Sequence, residues 1–459
     1  MRLVRAGAVA VVCAALWASA APAAAVTPPT ASPSNLVLRV PSGPPEPTEQ
    51  KALCGKPFAS SAADVRDPST AQQLMDVQAA WRYSKGNGVK VAVIDTGVQP
   101  SKRFKKVTGG GDFVSNGGGL TDCDGHGTMV AGIIAGKPSP SDGFAGVAPE
   151  AEIIAIRQTS LAYGTKDSNS SDADSGDIAS SSYGNVRTLA YAVVAAVQKG
   201  ADVINISEVA CGPAGTDMQD KQLGAALQYA YQRNVVVVAA AGNLVEPCKT
   251  QNTGVNPANP AAKGWDTLNT IVSPGWYSKY VLTVGGVEST TGGPWSLSVH
   301  GPWVSVAAPA TEVVSVGLRG QAVNRQEGQD GPVTLDGTSF ASPYVAGLAA
   351  LIKAKFPGMS AADVMHRITA TAHGAGSGRN DAIGYGVVDP VAALSDTVVR
   401  NTSGVAAGRP IAPPDMSQPD QTARNVALAG AGVCVTIAVI WWAVSIPRRR
   451  LRRLSEDEY

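Results

Sequence analysis

The chain has 459 residues, of which 44% are hydrophobic and 16% are charged, and its formal net charge is +1. This length suffices for one large domain with a substantial core or for two smaller domains. The near-neutral charge, without basic stretches interleaved with aromatic residues, argues against a nucleic-acid-binding protein, so we expect no nucleic-acid partner.

The N-terminus has the features of a secretory signal peptide. A short basic start, MRLVR, precedes the apolar run AGAVAVVCAALWASA, and small residues follow in APAAA. The run is too short to span a bilayer comfortably, which favours a cleaved signal over a first membrane anchor. We therefore predict a signal peptide over 1–25, with cleavage after Ala25 and loss of Cys13.

A proline-rich segment follows the predicted signal. Seven prolines lie between residues 26 and 50, a composition that favours an extended arm over a packed domain. We predict an N-terminal arm over 26–74 and a main body over 75–400.

Predicted strands and helices alternate through the body. Continuous apolar runs such as VKVAVID (89–95), ADVINIS (201–207) and VVVVAAAGN (235–243) are typical of buried parallel strands. Segments of helical length come between these runs. This order predicts an α/β fold with a central, mostly parallel sheet flanked by helices. Two polar segments, 159–185 and 246–277, are predicted to be exposed loops.

Three polar residues occupy junctions between predicted strands and helices. Asp95 ends a strand in VAVIDTGV, His126 lies between two glycines in DCDGHGTMVAG, and Ser339 begins a helix in LDGTSFASP. Each has an ordinary structural interpretation: a turn aspartate, a structural histidine and a helix N-cap serine. Together they supply the base and the orienting carboxylate that a serine hydroxyl needs to act as a nucleophile.

Asn243, at the end of VVVVAAAGN, adds a further group to this set. Its amide can donate a hydrogen bond to the oxyanion of a tetrahedral intermediate, although asparagine is also common in turns after strands. A serine at a helix N-terminus gains from the helix dipole as negative charge develops nearby. The cap and nucleophile interpretations of Ser339 are therefore compatible.

The cysteine count suits an exported domain. Once Cys13 and Cys434 are set aside, an even number remains, which predicts two disulfides. The four cysteines are Cys54, Cys123, Cys211 and Cys248. Three pairings are possible, and the sequence by itself leaves them open. Because no CxxC or CxH spacing supports a metal site, we predict no metal.

The C-terminal region predicts a membrane anchor. Residues 426–446 contain no charged residue, and a helix of this length is long enough to cross the roughly 30 Å hydrocarbon core. A proline-rich linker over 401–425 precedes this transmembrane helix, and a basic tail over 447–459 follows it. Five arginines in the tail place it in the cytoplasm, so the body lies on the extracytoplasmic (periplasmic) side of the cell membrane as part of a single-pass protein.

The motifs of the body resemble those of subtilisin-family serine proteases. DTG at Asp95, HGTMVAG at His126, AAGN ending at Asn243 and GTSFASP at Ser339 occur in that family's order of Asp, His and Ser. The resemblance covers about residues 75 to 395. It implies the subtilisin-like fold, hydrolysis of protein or peptide substrates, and a catalytic triad of Asp95, His126 and Ser339. It also implies an oxyanion role for Asn243, aided by the backbone N–H of Ser339.

No cofactor is expected, and calcium stays open. Four aspartates in the polar segment, Asp167, Asp172, Asp174 and Asp177, fit a solvated loop as well as a cation site.

The flanking segments are similar to those of the mycosins, the membrane-anchored subtilases of mycobacterial type VII secretion. The shared features are the signal peptide, the proline-rich arm, the predicted disulfides, the C-terminal span with its arginine-rich tail, and INISEVAC ending at Cys211. This resemblance implies an endopeptidase that processes proteins of a type VII secretion membrane complex and supports that complex. It also implies that Cys54 pairs with Cys123 and Cys211 with Cys248.

Two departures and one alternative accompany this interpretation. Glu208, Val209 and Ala210 follow INIS where typical subtilisins continue with Leu-Gly-Gly, so the family's substrate preference is not implied. The arm is short for a folded inhibitory prodomain, and we expect it to wrap the body instead. The alternative function is a structural subunit that stabilises the secretion complex, with proteolysis secondary.

Overall fold

The computed structural model of the chain describes residues 26–166, 183–254, 264–328, 331–374 and 378–395. All of them belong to the first of two compact units, Met1–Val398 and Val399–Tyr459. The predicted signal peptide, linker, transmembrane helix and tail lie outside the described residues, as do the four aspartates of the 167–177 segment. Within the described ranges, no helix combines the length and apolar character needed to cross a membrane.

Strands and helices alternate as predicted. The strands are β1 (Thr48–Gln50), β2 (Lys90–Asp95), β3 (Val107–Asp112), β4 (Glu152–Arg157), β5 (Tyr163–Thr165), β6 (Val203–Ile206), β7 (Ala210–Pro213), β8 (Val236–Ala240), β9 (Thr270–Ser273), β10 (Val281–Val287), β11 (Val304–Pro309), β12 (Ser315–Val316), β13 (Ala322–Val323), β14 (Arg325–Gly328) and β15 (Gly331–Thr334). The helices are α1 (Thr70–Met75), α2 (Val77–Ala80), α3 (His126–Ala135), α4 (Val186–Gln198), α5 (Lys221–Gln232), α6 (Thr338–Lys355), α7 (Ala361–Ala370) and α8 (Pro390–Ser395).

A seven-stranded sheet forms the centre of the fold. Its strand order is β11-β10-β8-β6-β2-β4-β3, and every neighbouring pair is parallel. The predicted parallel sheet is thus confirmed. β4 and β3 lie on one side of β2, and β6 with the later strands lies on the other side. The loops after β2 and β6 therefore leave the carboxyl edge of the sheet next to each other, at the kind of position where α/β sheets place their sites.

Helices cover both faces of this sheet, which explains the continuous apolar runs of the strands. Along β2, Val91 and Val93 belong to the hydrophobic core beneath α3 and α6. Ala92 and Ile94 belong to the core beneath α4 and α5. Side chains alternate across a strand, so both sets of alternate positions must be apolar.

The N-terminal arm lies extended along the body. Apart from a short 3-10 helix at Pro33–Asn35, residues 26–47 have no regular structure. Leu36 and Val40 pack against the core beneath α4 and α5. Further along, β1 pairs antiparallel with β5. These contacts match the expectation that the arm wraps the body.

The described parts of the two segments predicted to be exposed loops contain buried residues and strands. Within 159–185, Thr159 and Ser160 are buried and β5 forms, because the arm adds β1 beside it. Within 246–277, β9 is fully buried and pairs antiparallel with β7. In both cases a partner distant in sequence supplies the hydrogen bonds that a lone polar segment lacks.

Candidate functional site

Asp95 lies at the carboxyl end of β2, in the middle of the sheet. Its side chain is fully buried, and its Oδ1 accepts a hydrogen bond of 2.8 Å from the Thr96 backbone N–H. Its Oδ2 is buried without a hydrogen-bond partner among the described residues. The Asp95 carboxylate is therefore buried and little solvated, which strengthens its interaction with a neighbouring charged group.

His126 is the first residue of α3, and the loop before it is held by Asp122. One Asp122 oxygen accepts from Thr96 Oγ1 and from the Gly125 backbone N–H, both at 2.8 Å. The other oxygen accepts from the Thr128 backbone N–H at 2.8 Å and from its hydroxyl at 2.6 Å. The bonds from Gly125 and Thr128 satisfy donors at the start of α3, and the bond from Thr96 ties the loop to the end of β2, so that together they fix the position of His126.

Gly127 allows α3 to approach Asp95 closely. A Cβ at this position would lie 2.1 Å from the Gly97 carbonyl oxygen and 3.1 Å from the Asp95 side chain. Any side chain here would therefore push α3 away from the end of β2. The glycine of the HGT motif sets the distance between His126 and its carboxylate.

The three predicted catalytic side chains form one hydrogen-bonded chain. Asp95 Oδ1 lies 2.7 Å from His126 Nδ1, and His126 Nε2 lies 3.0 Å from Ser339 Oγ. Because the carboxylate can only accept, it fixes the tautomer with the proton on Nδ1 and leaves Nε2 free to accept from the serine hydroxyl. This is the geometry of an activated serine nucleophile.

The charges around His126 favour its protonated form. Burial by itself would lower its pKa, but the charge and hydrogen bond of Asp95, with the charges of Glu208 and Asp122, raise the pKa to about 9. The raised pKa moves the neutral imidazole, whose Nε2 can accept the Ser339 proton, toward higher pH.

Ser339 is the second residue of α6, which begins after Gly337. The N-cap residue of this helix is Gly337, which offers no side chain as a cap, so the interpretation of Ser339 as an N-cap serine is wrong. Its carbonyl accepts from Ser207 Oγ at 3.0 Å, and the ring of Phe340 lies 5.1 Å from that of His126. A Cβ at Gly337 would lie 3.0 Å from Ser339 Oγ, so glycine keeps space open beside the hydroxyl.

Asn243 lies three residues beyond β8, next to the start of α6. Its Oδ1 accepts from the Thr338 backbone N–H and from the Thr338 hydroxyl, both at 2.9 Å. These two bonds fix the amide so that Nδ2 points away from Thr338 as a donor. A Cβ at Gly337 would lie 3.4 Å from that Nδ2. The donor therefore lies on the side where space is open beside Ser339.

Two disulfides flank the site. Cys54 is joined to Cys123, three residues before His126, and Cys211 is joined to Cys248. This is the pairing that the resemblance implies. The Gly55 backbone N–H also donates to the Cys123 carbonyl at 2.7 Å. The first disulfide thus fastens the arm to the loop that carries His126.

Sequence reasoning did not find Glu208 or the two aspartates before His126 as parts of the site. Glu208 Oε1 lies 3.9 Å from His126 Nδ1. Asp124 accepts from Ser160 Oγ at 2.5 Å and from the Leu161 backbone N–H at 2.9 Å, which ties the histidine loop to the segment after β4. The sequence features that could have indicated these residues are the two aspartates of DCDGH and the glutamate that follows INIS, where typical subtilisins have leucine.

Asp95, His126 and Glu208 form a cluster of potential metal ligands in the described part of the chain, with donor atoms within 4.8 Å of one another. Asp95 and His126 are hydrogen bonded to each other, and the Glu208 carboxylate lies 3.9 Å from the same imidazole.

Comparison with known proteins identifies the family that the motifs indicate. The Subtilase family matches residues 86–386 of the chain. Mycosin-1 of Mycobacterium tuberculosis is 44% identical over 439 residues, which cover 95% of this chain and 97% of that protein.

The fold is also similar to solved structures. A crystal structure of MycP1 from the ESX-1 type VII secretion system superposes with a TM-score of 0.76 at 43% identity, covering 81% of this chain and 97% of that one. A chain in the structure of an intact ESX-5 inner membrane complex superposes with a TM-score of 0.75 at 36% identity, covering 92% of this chain and all of that one.

Proposed function

Because this chain belongs to the subtilase family and is a mycosin-like serine protease, we propose that it cleaves proteins at the outer face of the cell membrane. Asp95, His126 and Ser339 are its catalytic triad in this proposal. The single observation that carries the proposal is the unbroken hydrogen-bond chain from Asp95 through His126 to Ser339 Oγ.

The chemistry follows from this chain of bonds. Ser339 Oγ attacks the carbonyl carbon of the scissile peptide while its proton passes to His126 Nε2. Collapse of the tetrahedral intermediate breaks the C–N bond, and the leaving amine takes the proton from Nε2. A water molecule then gives a proton to His126 Nε2 and attacks the acyl ester. Collapse of this second intermediate breaks the bond to Ser339 Oγ, which takes the proton back from Nε2 as the acid leaves. Asp95 stabilises the imidazolium at each stage.

The oxyanion of each tetrahedral intermediate needs donors on the other side of Ser339. The Asn243 Nδ2 is held as a donor by the two bonds that Thr338 gives to Oδ1. The backbone N–H of Ser339, in the first turn of α6, is the second donor in this proposal. Both are fixed before substrate binds, so little reorganisation is needed as charge develops.

We place this activity in a type VII secretion membrane complex. The support is the chain of similar fold within an intact ESX-5 inner membrane complex. The same observation supports the alternative that the chain stabilises the complex and that cleavage is secondary. The two roles separate when catalysis is removed without removing the protein.

The test compares the native chain with Ser339→Ala in cells that carry the secretion system. We expect a fluorophosphonate probe to label the native chain on the peptide that contains Ser339, and to leave Ser339→Ala unlabelled. Secreted proteins should keep uncleaved forms in the Ser339→Ala strain, because the acyl ester cannot form. The measurements are mass spectrometry of the labelled peptide and of the secreted proteins.

Secretion itself separates the two roles. Deletion of the whole chain should impair secretion more than Ser339→Ala if the chain also stabilises the complex. Strong labelling of Ser339→Ala, or unchanged processing of every secreted protein, would contradict the proposed protease role.

We also propose the predicted topology, in which residues 426–446 anchor the body outside the cytoplasm. A reporter fused after Tyr459 should be active only in the cytoplasm, because the five arginines of the tail resist translocation. Deleting 425–459 should release the protease from membranes in a form that the probe still labels. Activity of the C-terminal reporter outside the cytoplasm would reverse the orientation.

A further inference from the structure

Glu208 places a second carboxylate beside the catalytic histidine. It follows Ser207 directly after β6, and its Oε1 lies 3.9 Å from His126 Nδ1. Its side chain is 26% exposed, so it is partly hydrated and does not belong to the core. With Asp95 it places two carboxylates within 4.8 Å of the same imidazole.

We propose that Glu208 is a second positioning carboxylate for His126, one that stabilises the imidazolium formed when Ser339 attacks. The inference rests on the proposed triad and adds a residue to it. A single carboxylate already fixes the tautomer of His126 through the 2.7 Å bond from Nδ1. Glu208 supplies negative charge without that bond, so its contribution is electrostatic.

The other charged groups near His126 do not act as this second, partly exposed carboxylate. Asp95 comes from the end of β2 and Asp122 from the loop before α3, and both are buried and held by hydrogen bonds. Asp124, in the same loop, acts on Glu208. From α6, the described contacts with the imidazole are the Ser339 hydroxyl and the Phe340 ring, which carry no charge.

The pKa values of Glu208 and His126 set the pH range in which the Glu208 charge acts on the imidazolium. Burial and the charges of Asp95 and Asp124 raise the pKa of Glu208, the His126 cation opposes them, and the net value is about 7. The pKa of His126 is raised to about 9. Between these values Glu208 is ionised and His126 is protonated in the resting chain, so the carboxylate faces a cation.

Two effects on the rate follow, and they have opposite signs. The Glu208 charge stabilises the resting imidazolium, which moves the acid limb of the pH–rate profile to higher pH. It also stabilises the imidazolium in the transition state, which raises the rate on the alkaline plateau. Well below the pKa of His126 the histidine is charged in both states, so the two effects cancel there.

The experiment measures the second-order rate of labelling by a fluorophosphonate probe from pH 5 to 10. It uses the full chain in detergent and compares the native protein with Glu208→Gln, which keeps the shape and removes the charge. Glu152→Gln is the matched control. Its side chain is 24% exposed and pairs with Lys106 at 3.2 Å, at the amino end of β4 and therefore at the opposite edge of the sheet.

We expect Glu208→Gln to lower the alkaline plateau about tenfold and to move the midpoint of the acid limb down by about one pH unit, the size expected for a partly hydrated charge at this distance. Rates at pH 5 to 6 should stay within about twofold of native, because Glu208 is itself mostly protonated below its pKa of about 7 and carries little charge to remove. Glu208→Asp, which keeps the charge, should restore most of the plateau. Glu152→Gln should leave the whole profile unchanged.

A purely structural role for Glu208 gives a different result. A structural role would lower the rate by the same factor at every pH and leave the midpoint of the acid limb in place. An unmoved midpoint would therefore overturn the inference about Glu208 and leave the triad intact. Equal profiles for Glu208→Gln and Glu152→Gln would do the same. Absence of labelling of the native chain at every pH would instead overturn the triad and the inference with it.

Discussion

His126→Ala is expected to lower the rate at which a fluorophosphonate probe labels Ser339 by more than about 10³-fold, to the limit of detection. The Ser339 hydroxyl lies 3.0 Å from Nε2, and this nitrogen is the proton acceptor that it contacts in the described structure. Without a base the hydroxyl is a poor nucleophile. In subtilisin, a member of the same family, removal of the histidine costs about 10⁶-fold in turnover.

The chain offers a matched control for this substitution in His373. Its Nε2 lies 2.6 Å from Asp389 Oδ2, so it too is a histidine paired with a carboxylate, but its side chain is 71% exposed. His373→Ala should leave the labelling rate unchanged. Equal losses in the two variants would mean that His126 acts through the stability of the fold and not as the base.

The convergence of Asp95 and His126 could be predicted because it follows from parallel topology. A buried apolar strand that ends in an aspartate puts that residue at the carboxyl edge of the sheet, and the helix that follows β3 begins at the same edge. The glycine after His126 then permits the close contact of α3 with β2. Local sequence was sufficient here because each of these features lies within a few residues of the group that it positions.

The contact of Glu208 with His126 could not be predicted in the same way. It depends on the path of the loop between β6 and β7, and β7 in turn is held by pairing with β9, far along the chain. Composition indicated only that this loop differs from that of typical subtilisins. The position of its charge is set by long-range strand pairing, which periodicity does not contain.

The order within the predicted loop over 159–185 was missed for a related reason. The polar residues around β5 have no amphipathic pattern of their own, and β5 gains its hydrogen bonds from β1 of the arm. Proline content predicted an extended arm but not the strand that it would pair with. The disulfide between Cys54 and Cys123 brings the arm to this side of the body, and its pairing was implied by the resemblance alone.

Asn243→Asp is expected to lower the labelling rate on the alkaline plateau by about 10²–10³-fold, the range found when the side-chain donor is removed from the oxyanion hole of subtilisin. The aspartate keeps an oxygen for the Thr338 N–H and hydroxyl, which Asn243 Oδ1 accepts at 2.9 Å. It replaces the Nδ2 donor with an acceptor that repels the developing negative charge. Asn243→Ala is less informative, because it would also leave the Thr338 N–H without its partner.

Asn324→Asp is the control that separates the lost donor from the change of charge. Asn324 Oδ1 likewise accepts from a backbone N–H and a hydroxyl, those of Ser60, at 2.9 and 3.2 Å. Both substitutions therefore add one negative charge and keep the same kind of accepted bonds, but only Asn243 has an amide directed at the space beside Ser339. A loss confined to Asn243→Asp would place its Nδ2 on the oxyanion, whereas equal profiles would remove Asn243 from the oxyanion hole and leave the backbone N–H of Ser339 as the donor.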